Sequence, residues 1–357
     1  VILLAGSPQA FAQDAPGPAN KKITYSPYPA KTFPNRVYFG DTHLHTSYSA
    51  DAGMAGAIVG PEDAYRFARG EAVKSNSGLP VKLSRPLDFL VIADHAENLG
   101  LAPMIAESDP ALLKSEWGKK VHDLAKTGTI EGQGAAFNMW IAAMQELKDP
   151  FKGQEETMVR PAWKRLTAAA EKFNEPGKFT AFIGYEWTSV PGGNNLHRNI
   201  LFRDNKDKAD QIMPFSAWQS EDPEKLWEWM AKYEAKTGGR MLAIPHNANL
   251  SNGRMFEPVT HAGAPLTKDY PERRARFEVL QEVMQSKGNS ETHPLLSPND
   301  EFANYGVAGW EYGNLTLEDK PLSREMMPTN FLRGGLLQGL KYEQSLGVNP
   351  FKFGFIG

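Results

Sequence analysis

Residues 87–95 read Leu-Asp-Phe-Leu-Val-Ile-Ala-Asp-His: a run that is apolar except for Asp88 and then ends in two polar side chains. A short, continuous apolar run rich in branched residues predicts a buried strand. Polar residues that cap such a strand stand where α/β barrels collect their active sites, because side chains at the ends of the strands project out of the packed interior. Working outward, similar runs occur at 37–40, 179–185, 197–202, 241–245, 277–283 and 351–356. Between several of them lie helical patterns. Residues 61–69 and 223–236 each start with proline and carry acidic residues in the first turn, where the helix dipole favours them. Strands alternating with helices predict an α/β fold with a largely parallel sheet or barrel.

The rhythm breaks between residues 101 and 178, where helical patterns at 110–126, 135–147 and 161–173 follow one another without a strand. This stretch reads as a helical insertion over one barrel mouth, with Trp117, Trp140 and Trp163 as packing residues. Residues 1–12 (VILLAGSPQAFA) read as the tail of a signal peptide, which implies a periplasmic or secreted protein. Residues 13–36 contain Pro16, Pro18, Pro27, Pro29 and Pro34, which predict an extended linker before a domain at 37–357. No other stretch approaches a membrane span. The formal charge of −3 offers no basic field, so nucleic-acid binding has no electrostatic support and a small-molecule substrate is favoured.

Five of the eight histidines lie at or beside the ends of the predicted strands. His43 and His45 alternate along one strand, so both point to the same side and can share a metal ion. Asp51 follows in a Tyr-Ser-Ala-Asp-Ala-Gly loop, and Asp94-His95 closes the run quoted above. Glu186 ends the run at 179–185, His197 begins the next, and His246 follows Pro245. Glu278 and Glu282 interrupt the run at 277–283. Any one of these could be a satisfied hydrogen-bonding residue, whereas together they predict a site of imidazoles and carboxylates. His122, His261 and His293 read as surface or loop residues.

The order His-x-His, Asp, strand-final Asp-His, strand-final Glu, His and Pro-His resembles the polymerase-and-histidinol-phosphatase (PHP) family of metal-dependent phosphoesterases. More closely, residues 39–51 (FGDTHLHTSYSAD), 85–97 (RPLDFLVIADHAE) and 287–291 (KGNSE) resemble the bacterial family filed as domain of unknown function 3604. The resemblance implies a distorted, TIM-like (β/α)7 barrel with two to three divalent ions, zinc, manganese or iron. It assigns His43, His45 and a bridging Glu186 to one ion, Glu186, His197 and His246 to a second, and Asp51 with His95 to a third. It also implies that Asp94 takes part in catalysis or orients His95 or a neighbouring residue, that Glu282 is either a further ligand or a partner of one, and that a closing Asp-x-His falls past Gly357.

The implied reaction is hydrolysis of an anionic ester, a phosphomonoester or phosphodiester, by hydroxide activated at the metals, with Glu186 supplying electrostatic support. Arg254, in the loop after His246, and then Arg198 and Lys287 are the candidates for holding the anionic group. The rival readings are hydrolysis of another ester, a sulfate ester or an amide on the same metals, and a metal-stabilised module without catalysis.

Overall fold

In the computed structural model, residues 36–308 and 325–357 are described. The expected signal-peptide tail at 1–12 and the linker up to residue 35 lie outside the described residues. Among those described, seven strands have three or more residues: β1 (Gly40–Leu44), β2 (Phe89–Ile92), β3 (Thr180–Trp187), β4 (Arg198–Phe202), β5 (Met241–Pro245), β6 (Leu280–Glu282) and β7 (Gly354–Ile356). The first starts later than the run at 37–40 predicts. Phe39 is exposed, and at Gly40 a Cβ would overlap the Phe89 ring and carbonyl, so glycine is what lets β1 approach β2. The run at 277–283 yields a strand only from Leu280, because Phe277 ends a helix.

The main sheet has the order β1-β2-β3-β4-β5. β1, β2 and β3 are parallel, but β4 runs antiparallel to both β3 and β5, which corrects the expectation of a largely parallel sheet. The reason is length: only ten residues separate Trp187 from Arg198, too few for the helical crossover that a parallel return needs. Beyond β5, β6 and β7 pair with each other in parallel, and Gln281 Nε2 bridges to the Pro245 carbonyl at 2.8 Å.

Period-two alternation divides the sheet into two faces. Leu90, Ile92, Ile183, Tyr185, Ile200, Phe202 and Ala243 pack outward under helices. Val91, Leu201 and Ile244 meet on the opposite face, with Phe182, Leu280 and Ile356 against them. A cluster fed by strands from β2 to β7 requires the sheet to curl, and the result is a mixed α/β fold with a half-barrel.

Seven helices of eight or more residues are described: α1 (Pro61–Ala68), α2 (Glu116–Ala125), α3 (Ile130–Glu146), α4 (Arg160–Phe173), α5 (Pro223–Thr237), α6 (Asp269–Phe277) and α7 (Leu332–Leu346). The pattern at 110–126 divides at Ser115, whose hydroxyl accepts from Gly118 N at 3.0 Å and caps α2. α5 runs from the Asp222 cap to Gly238 at φ 65°, a left-handed stop suited to glycine. The expected insertion is shortened. α4 buries Trp163, Leu166, Ala170 and Phe173 in the outer core, and Tyr65 of α1 stacks on Phe173 at 5.9 Å, so α4 belongs to the covering layer. No described helix is long and apolar enough to cross a membrane.

Glu278, between α6 and β6, is buried and accepts from Arg198 Nε at 3.0 Å and Trp227 Nε1 at 2.9 Å, with Arg274 Nε at 2.9 Å from its other oxygen. Burial alone would raise its pKa, but the two guanidiniums outweigh that and lower it. Glu278→Gln should therefore cost about 3–5 kcal/mol in urea unfolding, because two buried cations lose their counter-ion. The depressed carboxylate contributes stability that is complete above its ordinary value of 4.5 and is lost as the pH falls through its lower folded value. The parent should lose stability in acid more steeply than Glu278→Gln. A loss under about 1 kcal/mol, or parallel pH curves, would contradict this account.

Candidate metal centre

The same alternation that builds the core delivers the site. On β3, Phe182, Gly184 and Glu186 face inward. At Gly184 a Cβ would strike Val91 and the Ile200 carbonyl, so the position beneath Glu186 must be small. At the end of β1, where its pairing with β2 is irregular between Asp41 and Leu44, His43 and His45 face inward. His95 continues the inward side of Val91, and His246 that of Ile244. His197 comes just before β4 and still reaches the same mouth, because an antiparallel strand begins where its parallel neighbours end.

Five imidazoles converge on one carboxylate. Glu186 Oε2 lies 2.8 Å from His45 Nε2, 3.5 Å from His43 Nε2 and 3.6 Å from His95 Nδ1. Its other oxygen lies 2.6 Å from His197 Nδ1 and 2.9 Å from His246 Nε2. Asp51, in the first turn of a short helix (Ala50–Met54), spans two rings, with Oδ1 3.2 Å from His45 Nδ1 and Oδ2 3.2 Å from His95 Nε2. Glu282 Oε2 lies 2.7 Å from His43 Nδ1. Four interlocking groups could each hold a cation: His43, His45 and Glu186; Glu186, His197 and His246; His45, Asp51 and His95; and His43, His246 and Glu282. The structure thus joins His45 to the Asp51–His95 pair and draws Glu282 into the cluster.

The charges are mutually dependent. Burial lowers the pKa of His43, but the neighbouring Glu186 and Glu282 carboxylates outweigh it and raise it to about 9. His45 is likewise raised against burial, by Asp51 and Glu186. Burial dominates at His197, pushed down to about 3, and at His246, also lowered. Burial opposes ionisation of Glu186, yet the surrounding imidazoles hold its pKa well below the usual carboxylate value.

Asp94 falls on the other side of its strand from His95. It is fully buried and accepts from Thr46 N at 2.5 Å and Thr46 Oγ1 at 2.7 Å. It therefore fixes the chain just after His45, a neighbour in the cluster, rather than His95 itself, and burial raises its pKa to about 6. His95 Nδ1 instead meets Thr188 Oγ1 at 2.5 Å. Ser49 donates to Asp51 at 2.7 Å and accepts the His95 amide at 3.1 Å. Trp140 of α3 packs 5.9 Å from the His95 ring. Thr46, Thr188 and Ser49 escape a reading of the sequence, whereas Trp140 is the packing residue expected there and also backs His95. Asn199, which donates to the Thr42 carbonyl at 3.1 Å, could have been found by its parity with His197.

A cavity of about 510 Å³ opens over the cluster, lined by Asp41, His43, His45, Asp51, Glu282 and Lys287 among others. Lys287 sits in a tight turn between two short strands, and its carbonyl accepts from Asn249 Nδ2 at 3.0 Å. Arg198 and Arg254 do not line this cavity. Arg198 has outward parity, pairs with Glu278 and donates to the Leu196 carbonyl. Arg254 lies 3.5 Å from Glu257, and both arginines border a separate recess of about 10 Å³. His261 borders that recess too. His122 lies on α2, 2.9 Å from Ser108 Oγ, and His293 is buried in a loop with its ring stacked on Phe331, so these two are not free surface groups.

A family model described as protein of unknown function (DUF3604) matches residues 32–357. No curated protein and no solved structure matches the chain. With the match spanning nearly the whole sequence, the protein belongs to the family DUF3604.

Proposed function

We propose that the protein is a metal-dependent hydrolase of the PHP type, acting on a small anionic ester, with a phosphomonoester or phosphodiester as the favoured substrate and the half-barrel as a version of the distorted PHP barrel. The observation that carries this reading is Glu186 Oε2. It is buried and crowded by three imidazole nitrogens, yet it has no hydrogen-bond partner among the described residues. A buried charge left this way is costly unless a cation completes it. His197 Nε2 and His246 Nδ1 are also buried without partners. A donor set of imidazoles and carboxylates without thiolate fits zinc, manganese or iron.

Glu186 with His43 and His45, Glu186 with His197 and His246, and Asp51 with His45 and His95 would hold two to three such ions. Divalent ions held there would supply acidification of a water molecule and neutralisation of charge on the ester. Lys287 at the cavity edge would bind the anionic group and orient it toward the cluster. Asp94, through Thr46, and Ser49, through Asp51, keep the ligands in place.

Elemental analysis of the purified protein tests the reading. His43→Ala and Glu186→Gln should each fall to less than about half of the parent's metal content while keeping the parent's circular dichroism, because strand-end ligands lie outside the apolar core. Metal content equal to the parent's in both variants would refute the site. The zinc- or manganese-loaded protein should turn over phosphomonoester or phosphodiester probes. Turnover confined to carboxylic or sulfate esters or amides would keep the metals and replace the substrate.

Metal uptake should also release protons. His43, raised to about 9, carries a proton near neutral pH that an incoming cation must displace. Affinity should therefore rise with pH and level off above about 9. Calorimetry in buffers of different ionisation enthalpy measures the release, and a pH-independent affinity would contradict it.

A further inference from the structure

We infer that Glu282 is a positioning residue that fixes the tautomer of His43, an inference that rests on the metal-centre reading above. An imidazole has two nitrogens, and those of His43 face different partners. Nε2 faces Glu186 Oε2 at 3.5 Å, on the side shared with His45. Nδ1 faces Glu282 Oε2 at 2.7 Å, the length of a charge-assisted hydrogen bond. The ring is also held from one side by His246, with centroids 4.1 Å apart. With its Nδ1–H donated to Glu282, His43 has its lone pair on Nε2, directed at the group that contains Glu186 and His45. The negative charge across the ring also makes Nε2 a stronger donor to a cation.

The fold places Glu282 for this role. It stands two residues after Leu280, which packs in the interior cluster, so alternation turns both inward. Pairing of β6 with β7 sets its height, with Glu282 opposite Ile356 and the Val283 amide donating to the Ile356 carbonyl at 2.7 Å. The contact joins the first strand to the sixth, so the barrel must curl for His43 to acquire this partner.

The test compares the parent with Glu282→Ala, the isosteric Glu282→Gln, and His43→Ala, using zinc alone as the probe. Zinc affinity is measured by chelator competition, and the His43 ring by ¹⁵N NMR, its signals identified as those missing from His43→Ala. Expected are ligation through Nε2 and a strongly downfield Nδ1 proton in the zinc-loaded parent. That proton should move upfield in Glu282→Gln and vanish in Glu282→Ala, with zinc affinity about 10- to 100-fold weaker in the alanine variant and less so in the glutamine one. A purely structural role would lower stability without changing the ring's tautomer. Unchanged affinity and ring signals in both Glu282 variants, with His43→Ala still depleted of zinc, would overturn this inference and leave the metal centre standing. Ligation of His43 through Nδ1, with Glu282 itself on the zinc, would also overturn it. Full zinc retention by His43→Ala would overturn the metal centre and this inference together.

Discussion

The Glu186 carboxylate is almost completely buried at the end of the longest strand, and five imidazoles from four other parts of the chain lean on it. A carboxylate taken out of water needs compensating charge or donors around it, and the local backbone supplies neither to both oxygens. The arrangement of β1, β2, β4 and β5 around β3 is thus also an arrangement of imidazole nitrogen around one oxygen pair. Burial pushes His197 and His246 toward neutrality, with repulsion from neighbouring imidazoles adding to it, while His43 and His45, with carboxylates of their own, are pushed the other way.

The inner face of the curled sheet can hold such a site because little of it is core. The apolar interior cluster is small, whereas the large hydrophobic core lies on the outer face, beneath α1, α4 and α5. Stability and chemistry therefore draw on opposite faces of the same strands. A strand residue contributes to one or the other according to its parity, and neighbours in sequence such as His197 and Arg198, or Asp94 and His95, have unrelated roles.

A second buried ionic cluster shows the contrast. Glu278 joins Arg198, Arg274 and Trp227, drawn from β4, α6 and α5, and no described cavity of useful size reaches it. Its charge is matched by two guanidiniums and one of its oxygens accepts from both Arg198 and Trp227, as expected of a group that ties elements together. The Glu186 cluster differs in two ways: five imidazoles surround one carboxylate, and a cavity of about 510 Å³ opens over it.

By itself the sequence determined the class of fold, the position of most strands and the identity of the candidate ligands. Apolar runs of strand length ending in His, Asp or Glu express a local rule: polar side chains needed for chemistry stand where the buried strand stops. His43 and His45 were legible as a pair because two residues along a strand restore the same side. The orientation of β4, the inclusion of α4 in the covering layer, and the partners of Asp94, Arg198 and Glu282 were decided only by the tertiary structure. Each depends on which strand lies beside which and on how far the sheet curls, and these are set by packing between residues distant in sequence. Asp94 and Thr46 lie 48 residues apart, and His43 and Glu282 lie 239 apart. No spacing along the chain encodes such contacts, because the curl that makes them comes from the combined burial of both faces of the sheet.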